Sequence, residues 1–126
     1  MALVLVVDDD PDIVETCRLV LQKEGHEVAT ATNPEEGMTA VHSIKPDLII
    51  LDVMMTEADD GFAMAQQLRR EGFDNPILLL TSLTQVTGMQ YDKQDEIVPV
   101  DAFLEKPTDA RTLLQQVNNL LAAKEV

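Results

Sequence analysis

Three short runs along the chain are apolar at every position: Leu3-Val4-Leu5-Val6-Val7, Leu48-Ile49-Ile50-Leu51 and Ile77-Leu78-Leu79-Leu80. A strand without polar alternation is one covered on both faces, the condition of a central strand in a parallel sheet. Two further runs, Glu27-Val28-Ala29-Thr30-Ala31 and Asp101-Ala102-Phe103-Leu104, mix polar with apolar residues and suit the partly exposed edges of the same sheet. Helical spacing fills the intervals. Ile13, Val14, Cys17, Val20 and Leu21 form one apolar stripe, with Asp10 placed to cap the start, Pro11 at the first helical position and Gly25 to close the end in a left-handed conformation. Asn33-Pro34 opens a second helix to about Ile44, and a third runs from about Gly61 to Glu71, each stopped by a following Pro or Gly. A last helix carries the stripe Leu113, Leu114, Val117, Leu120 and Leu121, with Thr108 or Asp109 as its cap.

Five strands alternating with helices predict right-handed crossovers and an open, doubly wound α/β fold. The order 2-1-3-4-5 puts the wholly apolar runs inside a five-stranded parallel sheet with helices on both faces, a flavodoxin-like arrangement. One stretch breaks the pattern. From Ser82 to Val100, Gly88, Pro99 and the polar run Tyr91 to Glu96 leave no long stripe, so a short fourth helix near Thr84 to Tyr91 followed by an irregular loop is expected. With 126 residues, 45% of them hydrophobic, residues 1–126 are expected to form a single domain around one sizeable core.

Charge narrows the classes of partner. The chain has 23 Asp and Glu against 9 Lys and Arg, a formal net charge of −14, so a nucleic-acid backbone would be repelled and direct nucleic-acid binding is not expected. Cations, or a basic patch on a protein partner, fit that field better. The single cysteine, Cys17, lies on an apolar stripe, which argues for a core role in a reducing compartment. The opening apolar run is far too short for a membrane span and meets acids rather than a cleavage site, so a cytoplasmic protein is expected, without membrane contact. His26 and His42 sit away from the carboxyl ends of the strands and read as solvated surface residues.

In an open parallel sheet, ligands bind beyond the carboxyl ends of the strands, where the winding reverses between the first and third. The chemistry-bearing residues collect there. Strand one runs into Asp8-Asp9-Asp10, strand three into Asp52, strand four into Thr81-Ser82 and strand five into Glu105-Lys106-Pro107. Asp10 is read as a helix cap, while several carboxylates at one rim need positive compensation. All-oxygen ligation without His or Cys suits a hard cation, Mg²⁺ better than Ca²⁺; Met54 reads by default as a core or loop-packing residue, with its backbone carbonyl as a candidate further ligand. A carboxylate can attack phosphorus to form an acyl phosphate, which makes Asp52 the candidate nucleophile. Lys106 would pair with the carboxylate at rest and the phosphoryl group afterwards, Thr81 would donate a hydrogen bond, and the small Ser82 would leave the site open.

The motifs Val6-Val7-Asp8-Asp9-Asp10, Leu51-Asp52-Val53-Met54-Met55, Leu80-Thr81-Ser82 and Phe103-Leu104-Glu105-Lys106-Pro107 together resemble the receiver domain of bacterial two-component response regulators, along essentially the whole chain. The resemblance implies that Asp8 and Asp9 hold Mg²⁺ with Asp52 and the Met54 carbonyl. It implies that Asp52 takes a phosphoryl group from the phosphohistidine of a sensor histidine kinase or phosphotransfer protein. It further implies that Thr81 moves toward the phosphoryl group and Phe103 turns inward, remodelling the face made by the fourth predicted helix, strand five and the last helix for a downstream effector protein. Such a protein is a phosphorylation-dependent signalling switch that assists its own phosphorylation and dephosphorylation, and not an enzyme acting on other substrates.

The chain departs from the family pattern in three places. Thr56-Glu57-Ala58-Asp59-Asp60-Gly61 replaces the usual proline-containing turn and looks longer than it by one residue, the interval from Thr81 to Lys106 is long, and Glu96-Ile97-Val98-Pro99-Val100 replaces a glycine-containing turn. A second copy of the chain, paired through that altered face, is one further partner the sequence admits. Two other functions compete: a docking module of the same fold that is never phosphorylated, and a phosphohydrolase working through an aspartyl phosphate. Against the first, Asp52, Thr81 and Lys106 are all present; against the second, no further acid follows Asp52 closely.

Overall fold

The computed structural model describes residues 2–52, 60–82, 100–106 and 109–125. The strands are β1 (Leu3–Val7), β2 (Glu27–Ala31), β3 (Leu48–Asp52), β4 (Ile77–Ser82) and β5 (Ala102–Lys106), all parallel, in the order β2-β1-β3-β4-β5. The helices among these residues are α1 (Pro11–Lys23), α2 (Pro34–Ile44), α3 (Asp60–Arg70) and α4 (Ala110–Glu125). The order is the one predicted, with the mixed runs at the two edges. The short helix expected near Thr84 to Tyr91 lies outside the described residues, as does the loop from Thr56 to Asp59.

Strand pleating explains the unbroken apolar runs, because successive side chains serve opposite faces. Leu5, Val7, Ile49, Leu51, Ile77 and Leu79 meet Val41 of α2 and Met64, Ala65 and Leu68 of α3. Their neighbours Val4, Val6, Leu48, Ile50, Leu78 and Leu80 meet Cys17 and Leu21 of α1 and Leu113 and Val117 of α4. The single core expected from sequence is thus two half-cores divided by the sheet. The central leucines and isoleucines are fully buried. Each contributes about 1.5–3 kcal/mol relative to an exposed side chain.

Helix ends follow the expected punctuation, with one addition. The Asp10 carboxylate accepts from Asp12 N–H at 2.9 Å, Asn33 from Glu36 N–H at 2.8 Å, and Asp109 from Thr112 N–H at 2.7 Å. Gly25 takes φ +92° after α1, as its position predicted. The addition is Lys45, which ends α2 in the left-handed region at φ 50°, its N–H donating to Val41 O just before Pro46. Lysine adopts this conformation at some cost, because its Cβ crowds the following carbonyl.

At the amino ends of the strands the polar groups are closed by side chains. Asp47 accepts from Leu3 N–H and Asp101 from Ile77 N–H, each at 2.8 Å. Arg69, near the end of α3, donates to Phe73 O and Asn75 O at 2.9 Å and to Asp101 at 2.8 Å. This end of the sheet is latched, which leaves the carboxyl ends as the rim on which a site can be built.

Candidate functional site

Parallel pairing brings the strand ends to one rim. Val7 is in register with Leu51, so Asp8, the next residue, lies beside Asp52 at the end of β3. The Asp8 N–H donates to Ala31 O at 3.1 Å, which fixes the backbone where β1 ends. Asp8 is 0% and Asp52 2% exposed, while Asp9 is open to solvent. Each of the three offers a carboxylate oxygen, and these oxygens lie within 4.8 Å of one another.

The Asp8 carboxylate is held in place. Its Oδ1 accepts from the backbone N–H of Asp10 at 2.9 Å, a turn that closes over two residues and directs the carboxylate along the rim toward Asp52. Asp10 is therefore tied both ways, its side chain to the helix and its amide to Asp8. The sequence foretold the cap. It gave no sign of the second bond, which depends on the path of the chain between strand and helix.

The remaining predicted residues are placed by register. Asp52 pairs with Leu80, Thr81 with Glu105 and Ser82 with Lys106, so the backbones of Thr81, Ser82 and Lys106 lie at the same rim. Their side chains, and Met54 altogether, lie outside the described residues. Phe103 is 40% exposed on β5; Ala102 and Leu104 on either side pack into the α1/α4 half-core, so the ring stands on the opposite face. Neither histidine belongs to the rim. His42 is exposed and pairs with Glu71 at 2.8 Å. His26 is more engaged than its surface assignment suggested, being half-buried with Nδ1 accepting from Ala2 N–H at 3.2 Å and Nε2 near Asn118 Oδ1 at 3.4 Å.

Carboxylates alone, without imidazole or thiolate, form a donor set for a hard divalent cation, and Mg²⁺ takes one or two protein carboxylates while retaining waters and phosphate oxygens. One exposed and two buried oxygen donors around a short gap fit that preference. Among the described residues this is the only acidic, histidine or cysteine cluster with metal-binding spacing, and no helix among them is long and apolar enough to cross a membrane.

A doubly wound sheet of this order with three aspartates at its switch point defines the class: the chain belongs to the response regulator receiver domain family, whose model matches residues 4–118. Among curated proteins it is 33% identical to the response regulator SaeR of Staphylococcus aureus over 121 residues, covering 96% of this chain and 51% of the relative. The chain thus spans about half the length of the curated relatives it matches. Among solved structures, the chemotaxis response regulator CheY4 of Vibrio cholerae superposes with a TM-score of 0.82 at 33% identity, covering 95% of this chain and 98% of the other. The response regulator TrrA of Thermotoga maritima, determined in complex with Mg²⁺ and BeF, gives 0.80 at 32% identity, covering 95% and 99%.

Proposed function

We propose that residues 1–126 form a receiver domain working as a phosphorylation-dependent switch, with Asp52 as phosphoacceptor. The observation that carries this reading is the convergence of the Asp8, Asp9 and Asp52 oxygens within 4.8 Å at the rim. The Mg²⁺–BeF complex of the related TrrA supports it.

In the proposed transfer, an Asp52 carboxylate oxygen attacks the phosphorus of a phosphohistidine on a sensor histidine kinase or phosphotransfer protein. The P–N bond breaks as the O–P bond forms, and the histidine leaves with its electron pair. Asp8, Asp9, Asp52 and the Met54 carbonyl would hold Mg²⁺, which when bound neutralises charge on the transferring oxygens. Lys106 balances charge at the acceptor, Thr81 donates to a phosphoryl oxygen, and Ser82, being small, keeps the approach open. The buried position of Asp52 excludes bulk water from the side facing the core, which slows hydrolysis of the acyl phosphate.

Output follows from a two-state equilibrium. Phe103, exposed before phosphorylation, turns inward when Thr81 is drawn to the phosphoryl group, and the surface around β5 and α4 changes for a downstream effector protein. On this reading the protein works in the cytoplasm beside its kinase, as a phosphoacceptor that assists its own phosphorylation and dephosphorylation.

The test is incubation with acetyl phosphate and Mg²⁺, followed by intact-mass measurement. A phosphate-sized, acid-stable and base-labile gain that is absent from Asp52→Asn and abolished by chelation is the expected result. No gain in the unsubstituted protein overturns the proposal in favour of a docking module, and rapid turnover of unrelated phosphomonoesters overturns it in favour of a hydrolase.

A further inference from the structure

The Asp10 side chain is exposed and accepts from Asp12 N–H at 2.9 Å. The cap sets the backbone of Asp10 at φ −93° and ψ 110°, and its carbonyl oxygen accepts the first helical bond, from Val14 N–H at 3.1 Å. With side chain and carbonyl both committed to the helix, the orientation of the remaining polar group, the Asp10 N–H, is fixed. It points at Asp8 Oδ1, 2.9 Å away. Two successive turns, each spanning two residues, therefore connect the start of α1 to the buried carboxylate of the acidic cluster.

We infer that Asp10 is a positioning residue for the cation site: by capping α1 it aims its own N–H at Asp8 and so holds that carboxylate in the orientation its partners Asp9 and Asp52 require. The inference rests on the reading of Asp8, Asp9 and Asp52 as a Mg²⁺ site. A carboxylate free to turn about its Cα–Cβ and Cβ–Cγ bonds must be ordered when the cation binds, and one already fixed by a donor is not. The side chain of Asp10 works at a distance, so its charge and its geometry are separable. Asparagine caps a helix about as well as aspartate, and alanine does not.

The experiment compares Asp10→Asn with Asp10→Ala in the full chain, since both lose the same charge and differ only in the cap. Mg²⁺ dissociation constants are measured by calorimetry, and hydrogen exchange of the Asp10 amide is followed by NMR in the metal-free protein. Asp8→Asn serves as the control for the site itself. The expected result is Mg²⁺ binding by Asp10→Ala weaker than by Asp10→Asn by roughly tenfold, with the Asp10 amide protected in the asparagine variant and exposed in the alanine variant.

Equal Mg²⁺ affinities for the two variants overturn the inference and leave the site standing. Loss of thermal stability in Asp10→Ala without change in Mg²⁺ affinity also overturns it, since the cap would then serve the helix alone. If Asp10→Ala does not fold, Asp10→Ser against Asp10→Gly gives the same comparison with a smaller difference in helix stability. If the unsubstituted chain shows no saturable Mg²⁺ binding that Asp8→Asn abolishes, the site reading itself fails and carries this inference with it.

Discussion

Replacing Asp8 by asparagine is expected to raise the melting temperature of the metal-free protein. Carboxylate oxygens of Asp8, Asp9 and Asp52 lie within 4.8 Å of one another, and at an effective dielectric of 20 two unit charges at that separation repel by about 3.5 kcal/mol. The Asp9 contribution is smaller, because Asp9 is exposed and its field is screened by water. The Asp8–Asp52 term is retained more fully, as both groups are buried. Asparagine preserves the carbonyl oxygen that accepts from Asp10 N–H, so the turn survives while the charge is removed. Favourable interactions of the Asp8 charge are lost as well, and a net gain of about 2 kcal/mol, or roughly 6–10 °C for a domain of this size, is the expected balance.

Thermal denaturation followed by circular dichroism, in chelator and then in Mg²⁺, measures both halves of the argument. In Mg²⁺ the unsubstituted protein gains stability by linkage, about 2.7 kcal/mol at a hundredfold excess over the dissociation constant, and the variant gains little. The stability gap between the two therefore narrows or reverses when the cation is added. A metal-free variant that melts at or below the unsubstituted protein, with an unchanged response to Mg²⁺, would falsify the claim that this cluster is held under charge repulsion for the sake of a cation.

Gly37→Ala tests the packing that supports the rim, because an added Cβ would lie 2.8 Å from Met64 Cε and 3.2 Å from Val7 Cγ1. Overpacking costs about 1–3 kcal/mol and better helix propensity returns up to about 1, so urea denaturation is expected to show a net loss of about 1 kcal/mol; a gain in stability would contradict this. Arg69→Ala removes a guanidinium that binds two carbonyls and Asp101, and a loss of about 2 kcal/mol is expected, with Arg69→Lys recovering little because an ammonium lacks the planar fork. Acid lowers stability with a predictable sign. Glu36 is held below the ordinary carboxylate range by the Thr32 N–H and then its hydroxyl, Glu71 by Gln67 and then His42, and Asp109 by the Thr112 N–H and then its hydroxyl. Their contribution is complete above the unfolded values of about 4 and is lost as pH falls through the lower folded values, so the urea midpoint drops between neutral pH and about pH 3, less steeply in Asp109→Asn; an identical slope in that variant counts against the assignment.

Much of the fold was legible because its signals repeat. Runs with no polar residue marked β1, β3 and β4 as central, and mixed composition put β2 and β5 at the edges, where the sheet order places them. Caps were plain at Asp10 and Asn33, since a short polar side chain before a helical stripe has a local reason to be there, whereas the sequence left Thr108 and Asp109 as alternatives and the structure gives the cap to Asp109. What escaped the sequence is made by contacts between distant segments. Nothing around Lys45 announces a left-handed end to α2, and neither the bridge from His26 to Ala2 and Asn118 nor the Arg69 latch has a periodic signature. Helices on both faces were expected, but an unbroken apolar run does not say which residue faces which side. At the site, the convergence of Asp8, Asp9 and Asp52 was readable from topology alone, whereas the Asp10 N–H bond that orients Asp8 required the backbone path.

The two ends of the sheet use the same side chain for opposite purposes. At the amino ends, Asp47 and Asp101 accept from the first amides of β1 and β4, and Asp101 also meets Arg69, so each carboxylate closes the strand end it sits on. At the carboxyl ends, Asp8 and Asp52 are buried beside each other and beside Asp9, where removing a charge is expected to stabilise the fold. On the proposed function a cation and a transferred phosphoryl group give that crowding a reason, because the carboxylates are then ligands and acceptor. The rigid, latched end supplies the stability that lets the opposite end remain charged and ready to bind. It follows that weakening the latch should lower the melting temperature while leaving Mg²⁺ affinity nearly unchanged, and weakening the rim should do the reverse.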